Sequence, residues 1–97
     1  MQQHFAYAES ATHARIAGHV LVQDTGGEAV LLDLAGERYF GLNKVGTRIW
    51  QLLGETSSLE EIQSRLCAEF DASSERIRQD LVTLLGQLNA AGLITME

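Results

Sequence analysis

The 97-residue chain has no proline, a single cysteine, 6% aromatic residues and 7 basic side chains against 13 acidic ones. Each shortage excludes something. Proline-rich linkers are absent, as are repeats at a solenoid period and low-complexity tracts, so nothing divides the chain into two folded units. Cys67 alone makes neither an internal disulfide nor a cysteine-rich zinc site, which points to a reducing compartment and a cytoplasmic location. A formal charge of −6 repels phosphate backbones, so no nucleic-acid partner is expected. No apolar run approaches the roughly 18 to 20 residues needed to cross a bilayer, and the N-terminus lacks the basic start and apolar core of a signal peptide. No membrane partner is expected either. At 97 residues the core is modest, and a large enzyme pocket is not anticipated.

What is present is densest in residues 30–53, VLLDLAGERYFGLNKVGTRIWQLL. Residues 29–34 are an apolar run of strand length, Ala35 and Gly36 supply a turn, and residues 37–42 form a second strand centred on Tyr39 and Phe40. Asn43 then caps a helix whose apolar residues Val45, Ile49, Leu52 and Leu53 share one face before Gly54. Upstream, residues 19–23 alternate as a strand, and the turn at residues 24–27 pairs them antiparallel with the run at Ala29. Downstream, Ser57 and Ser58 stand three residues before Glu60 and Glu61 as capping boxes, and Leu59, Ile62, Leu66 and Phe70 form the stripe of a second helix. After a polar break at residues 71–74, Ile77, Leu81, Leu84, Leu85 and Leu88 mark a long third helix ending near Gly92, with Leu93 and Ile94 covering the lower edge of the core. Residues 1–17 read as a loosely ordered arm, with Phe5 and Tyr7 as docking aromatics, and residues 18–97 as the domain.

A three-stranded antiparallel sheet cannot bury its apolar face alone, and three amphipathic helices supply the cover. The expected fold is therefore α+β, winged helix-turn-helix-like, with the three-stranded sheet followed by three helices. That outline often serves DNA, but the third helix carries only Arg76 and Arg78 before Asp80, short of the positive charge of a recognition helix. A winged-helix regulator stays as a rival reading, and a small enzyme using Cys67 as another.

Several conspicuous residues have plain structural readings. Trp50 shares a helix side with Ile49 and Leu53 and is expected in the core or at its edge. Cys67 sits beside Leu66 and Phe70 with no neighbouring base, which suits helix packing better than nucleophilic chemistry. His4, His13 and His19 are too irregularly spaced for a local metal motif, and the carboxylates Glu60, Glu61, Glu69 and Asp71 sit where capping and solvation account for them. No catalytic residue, metal or cofactor is assigned.

The runs AVLLDLAGERYFGLNKVGTRIWQLL and SLEEIQSRLCAEF and the closing AAGLI resemble the PqqD-like family of peptide chaperones, the recognition elements of ribosomally made, post-translationally modified peptides. The likeness spans about residues 18–94 and is most specific at Tyr39, Phe40, Gly41, Leu42 and Asn43 with Gly46 and Trp50. It implies a three-strand, three-helix winged fold and the binding of a precursor's leader peptide, which adds as a strand beside the third strand and packs against the third helix. The partner would be a leader protease or another maturation enzyme. Lasso-peptide maturation is the favoured setting, and pyrroloquinoline quinone synthesis is the alternative.

The residues themselves suit that role. If residues 37–42 are a sheet edge, their unpaired backbone groups can take an extended peptide by β-augmentation. Glu37, Arg38, Tyr39, Phe40, Gly41 and Leu42 are the expected strand of the site. Alternation puts Tyr39 and Gly41 on one face and Arg38, Phe40 and Leu42 on the other; the favoured assignment has Phe40 in the core and Tyr39 nearer the peptide. Gly41 serves either a close backbone approach or a bulge. From the third helix come Arg76, Ile77, Asp80, Leu81 and Leu84, with core packing the competing role for the leucines and solvation for Asp80. Arg76 and Arg78, joined by Arg38 and Lys44, would steer an acidic leader. An exposed edge would also admit a second copy of the chain as a homodimer.

Overall fold

The structure, a computed structural model, describes residues 11–97. His4, Phe5 and Tyr7 lie outside the described residues. The element order is β1 (Ala14–Ile16), β2 (Val20–Asp24), β3 (Ala29–Asp33), β4 (Arg38–Leu42), α1 (Lys44–Leu53), α2 (Leu59–Glu69), α3 (Ser74–Ala90) and β5 (Ile94–Met96). The fold is α+β, with the antiparallel sheet β2-β3-β4 followed by three helices.

One expectation about boundaries changes. The sequence reads as a loose arm to residue 17, yet Ala14, Arg15 and Ile16 pair with Met96, Thr95 and Ile94 in a second, two-stranded antiparallel sheet. Ala14 is fully buried, and its N–H donates to the Ser57 carbonyl at 3.0 Å. A three-residue strand shows no readable alternation, and its partner lies at the far end of the chain, so local pattern gives no warning of it.

In the main sheet the register is continuous: Ala29 faces Leu42, Val30 faces Gly41, Leu31 faces Phe40, and Asp33 faces Arg38. There is no bulge at Gly41. Ala29, Leu31 and Asp33 are buried on the side covered by helices, while Leu21, Leu32 and Tyr39 form a cross-strand row on the outer side.

The turn between β3 and β4 spans residues 34–37, so Glu37 belongs to the turn and the strand begins at Arg38, a correction to the expected strand start at Glu37. Glu37, not Gly36, adopts the positive φ, 56°. Gly36 answers a different need. A Cβ there would lie 2.7 Å from Asp33 Oδ2 and 3.0 Å from Arg38 Nε, inside the network that closes the turn. The buried Asp33 carboxylate accepts from the Ala35 and Gly36 N–H groups at 3.2 and 3.1 Å and from the Arg38 guanidinium at 3.0 Å. An Asx turn of this kind directs the chain back on itself.

Each helix start has its cap. The Asn43, Ser58 and Ser73 side chains accept from the N–H groups of Gly46, Glu61 and Arg76, each satisfying a donor that the first helical turn leaves unpaired. At the far end of α3, Gly92 has φ 78°, and the Leu93 and Gly92 N–H groups donate to the Leu88 and Asn89 carbonyls at 2.9 and 3.1 Å. This pair of bonds is a Schellman ending, which turns the chain directly into β5. The core gathers Leu31 from the sheet, Ile49, Trp50 and Leu52 from α1, Ile62 and Leu66 from α2, Ile77, Leu81, Leu85 and Leu88 from α3, and Ile94 from β5.

Candidate functional site

The sheet order leaves β4 at an edge, with no strand beyond it among the described residues. Alternate residues of such a strand turn their N–H and C=O groups outward, ready to pair with an extended chain. Asn43 makes the connection to α1 immediate: its side chain accepts from Gly46 N–H at 2.8 Å and its carbonyl from Thr47 N–H at 2.8 Å. The short connection sets α1 directly beside the end of the edge strand.

Between this corner and α3 lies an open groove of about 260 Å³. Its floor is Leu42 with Val45 and Ile49 of α1, bordered by Gly41, Asn43 and Gly46. Its far wall is Asp80, Thr83, Leu84 and Gln87, which recur along one face of α3 at the spacing that aligns helical side chains. Of these lining residues Asp80 alone is charged.

The expected site residues divide among several places. Gly41, Leu42, Asp80 and Leu84 line the groove. Phe40 is half-buried against the core on the inner side of β4, and Arg38 stacks over its ring at 5.4 Å from the centroid. Tyr39 stands on the outer side, 76% exposed and away from the groove lining. Ile77 and Leu81 are 1% and 3% exposed and belong to the core. Arg76 is an exposed side chain paired with Asp80 at 3.4 Å, and Glu37 is exposed in the turn. Arg78, expected to steer a leader, borders a different cavity on the opposite flank of α3, with Gln63 of α2. The groove residues not foreseen are Asn43, Val45, Gly46, Ile49, Thr83 and Gln87. Thr83 and Gln87 follow Asp80 and Leu84 at helical spacing and could have been found by extending that face; the α1 contribution required the tight corner at Asn43.

Electrostatics fixes the ends of this arrangement. The Arg38 guanidinium reaches both Asp33 and the Ala91 carbonyl, at 3.0 and 3.1 Å, tying the start of β4 to the end of α3. Hydrogen bonds from the Gly36 N–H and then from Arg38 hold the Asp33 carboxyl below its ordinary range. From the middle of α1, Arg48 grips Glu69 at the end of α2 with two bonds of 2.7 and 2.9 Å and lowers its pKa in the same way. Among the described residues no three His, Cys, Asp or Glu side chains gather as a metal site. Cys67 is partly buried against the core, and Trp50 is 6% exposed within it.

The fold has counterparts among known proteins. Among solved structures, TbiB1 in complex with the TbiA(beta) leader peptide is 38% identical, superposes with a TM-score of 0.77, and the match covers 82% of this chain and 93% of that one. A lasso peptide synthetase B1 complexed with the leader peptide shares the fold at 24% identity, with a TM-score of 0.75 over 86% of this chain and 98% of that one. No curated protein matches the chain. The model of the family described as coenzyme PQQ synthesis protein D matches residues 28–94. That span exceeds half the chain and takes in β4, α1, α2 and α3 with every residue lining the groove, and so the chain belongs to the PqqD family.

Proposed function

We propose that this chain recognises the leader segment of a ribosomally made precursor peptide and presents it to a separate enzyme. The leader adds as a strand beside β4 and lays its inward side chains in the groove against α3. The observation that carries this reading is an edge strand, with no further strand beyond it among the described residues, running directly beside an open groove with an apolar floor. Main-chain bonds to β4 supply affinity, and the groove supplies register and selectivity. Gly41 suits such an approach, since a Cβ there meets no atom within 4 Å and its strand register is unbroken, leaving no need of the free chain for glycine. Tyr39, on the outer side of β4, would flank an outward-facing leader residue as a cross-strand neighbour.

The chain acts by binding and has no turnover of its own; the chemistry belongs to a leader protease or another maturation enzyme in the cytoplasm. Lasso-peptide maturation is the favoured pathway, supported by relatives solved with leader peptides, and the alternative is pyrroloquinoline quinone synthesis. With β4 taken by the leader, β2 is the remaining edge at which two copies would pair. Duplex DNA is not the proposed partner, given a net charge of −6.

Amide NMR during titration with unmodified leader tests the reading. Shifts should concentrate in β4, the start of α1 and the Asp80 to Gln87 face of α3, while labelled duplex DNA leaves the spectrum unchanged. Shifts confined to α2, or a response to DNA alone, would sink it.

A further inference from the structure

The wall of the groove carries one charge, that of Asp80, and neither Arg76 nor Arg78 lines it. Arg78 lies on the other flank of α3, and Arg76 is drawn into an exposed pair with Asp80, leaving the Asp80 carboxylate as the charged group that lines the groove. The floor facing it is apolar, formed by Leu42, Val45 and Ile49. Thr83 and Gln87, the other polar side chains on this wall, are neutral.

A peptide strand laid in the groove would strip water from this carboxylate. Its present partner does not compensate: the Arg76 to Asp80 contact is 3.4 Å long, and the Arg76 side chain is 69% exposed. Exposed pairs at this helical spacing contribute little, and a carboxylate can accept more donors than one. A buried acceptor left short of donors is costly, more so when charged. An acidic leader residue there would be repelled, an apolar one would strand the carboxylate, and a cation would satisfy it.

Resting on the leader-binding reading, we propose that Asp80 is a specificity residue of the groove, selecting a leader that places a lysine or arginine side chain against it. The apolar surface beside it takes an aliphatic or aromatic neighbour of that cation on the same side of the strand. The preferred leader is therefore locally basic at this position, whatever its overall charge.

The test uses the TbiA(beta) leader peptide as parent probe, with each position replaced in turn by Lys and by Glu. Affinities are measured for the full chain and for Asp80→Asn and Asp80→Lys, with thermal melts confirming that both variants fold. Because the whole molecule is acidic, Lys will be weakly favoured over Glu everywhere, and added salt removes that background. The expected result is one position where Lys binds at least tenfold tighter than Glu, a preference that falls to background in Asp80→Asn and reverses in Asp80→Lys. A preference that is uniform along the peptide, or that survives Asp80→Asn, overturns the assignment of Asp80 while leaving leader binding intact. Failure of the parent peptide to bind the unaltered chain overturns the leader-binding reading and the assignment with it.

Discussion

A cavity flanks α3 on each side. On one flank, the groove of about 260 Å³ opens beside β4 and is walled by Asp80, Thr83, Leu84 and Gln87. On the other, a larger and more apolar cavity of about 360 Å³ lies between the segment at Ala11 to His13, the start of α2, and Arg78, Leu81, Val82 and Leu85 of α3. Size favours the second cavity, and backbone chemistry favours the first. Around the larger cavity the chain has already paired its own backbone: Leu59 N–H donates to Thr12 O, Ala14 N–H to Ser57 O, and Glu97 N–H to His13 O. Beside the smaller one runs a strand with no partner beyond it among the described residues. What distinguishes the two flanks is the backbone beside them: among the described residues, the outer edge of β4 lies next to the smaller groove, whereas the segments around the larger cavity are joined by the chain's own hydrogen bonds.

The largest effect expected from testing this contrast is on stability, at the flank without the edge. Leu85 is 2% exposed in the core, and Leu85→Ala should cost about 2–5 kcal/mol, as deletions of buried leucine commonly do. Leader affinity, measured where the variant is still folded, should stay within about twofold of wild type. A large loss of affinity would mean that the two flanks are coupled through α3.

The two rings of β4 sharpen the comparison next. Phe40 packs against the core and Tyr39 is 76% exposed, so Phe40→Ala should cost roughly 1–3 kcal/mol, and Tyr39→Ala should stay within about 0.5 kcal/mol. Denaturant midpoints decide between them. A Tyr39 variant melting far below the Phe40 variant would reverse the two sides of the strand.

Bulk placed in each cavity separates them more directly. Thr83 is an exposed residue on the groove wall, and Thr83→Trp should weaken leader binding at least tenfold, about 1.4 kcal/mol, with little change in stability. Gln63 lines the other cavity, and Gln63→Trp should leave affinity unchanged. Equal losses from both substitutions would break the contrast between the flanks.

The smallest effect is a dependence on pH at the end of the edge strand. The Asp33 carboxyl, held low chiefly by the Gly36 N–H and by Arg38, stabilises the fold above the ordinary carboxylate range, and that contribution is lost as pH falls through the depressed value. Asp33→Asn should therefore be less stable than wild type at neutral pH and should lose less on acidification to about pH 3. Urea midpoints at both pH values give the slopes; equal slopes would show that the turn draws nothing from the charge of Asp33. Glu69, lowered by Arg48, contributes a decline of the same sign that persists in this variant.

What local pattern specifies was legible in the chain. Alternation and turn residues located β2, β3 and β4, and the caps at Asn43 and Ser58 with the stripes ending at Gly54 and Gly92 located the helices, because hydrogen bonds over three or four residues and one buried face determine those elements. The edge strand and the leucines of α3 were legible for the same reason. The pairing of β1 with β5, the positive φ at Glu37 in place of Gly36, and the side of α3 that each arginine takes were not. The first and the last depend on residues far apart in sequence, Met96 against Ala14 and the packing of Ile77 and Leu81 into the core, which sends Asp80 to the groove and Arg78 to the opposite flank; the second depends on side-chain geometry inside the turn, where the Asp33 carboxylate crowds Gly36. The sequence by itself determined a small acidic α+β domain with strands, helices and an aromatic edge strand. Tertiary structure alone decided which side of α3 meets the groove, leaving Asp80 on its wall and Arg78 on the opposite flank, because the rotation of α3 is set by the packing of Ile77 and Leu81 into the core, which no local spacing sets.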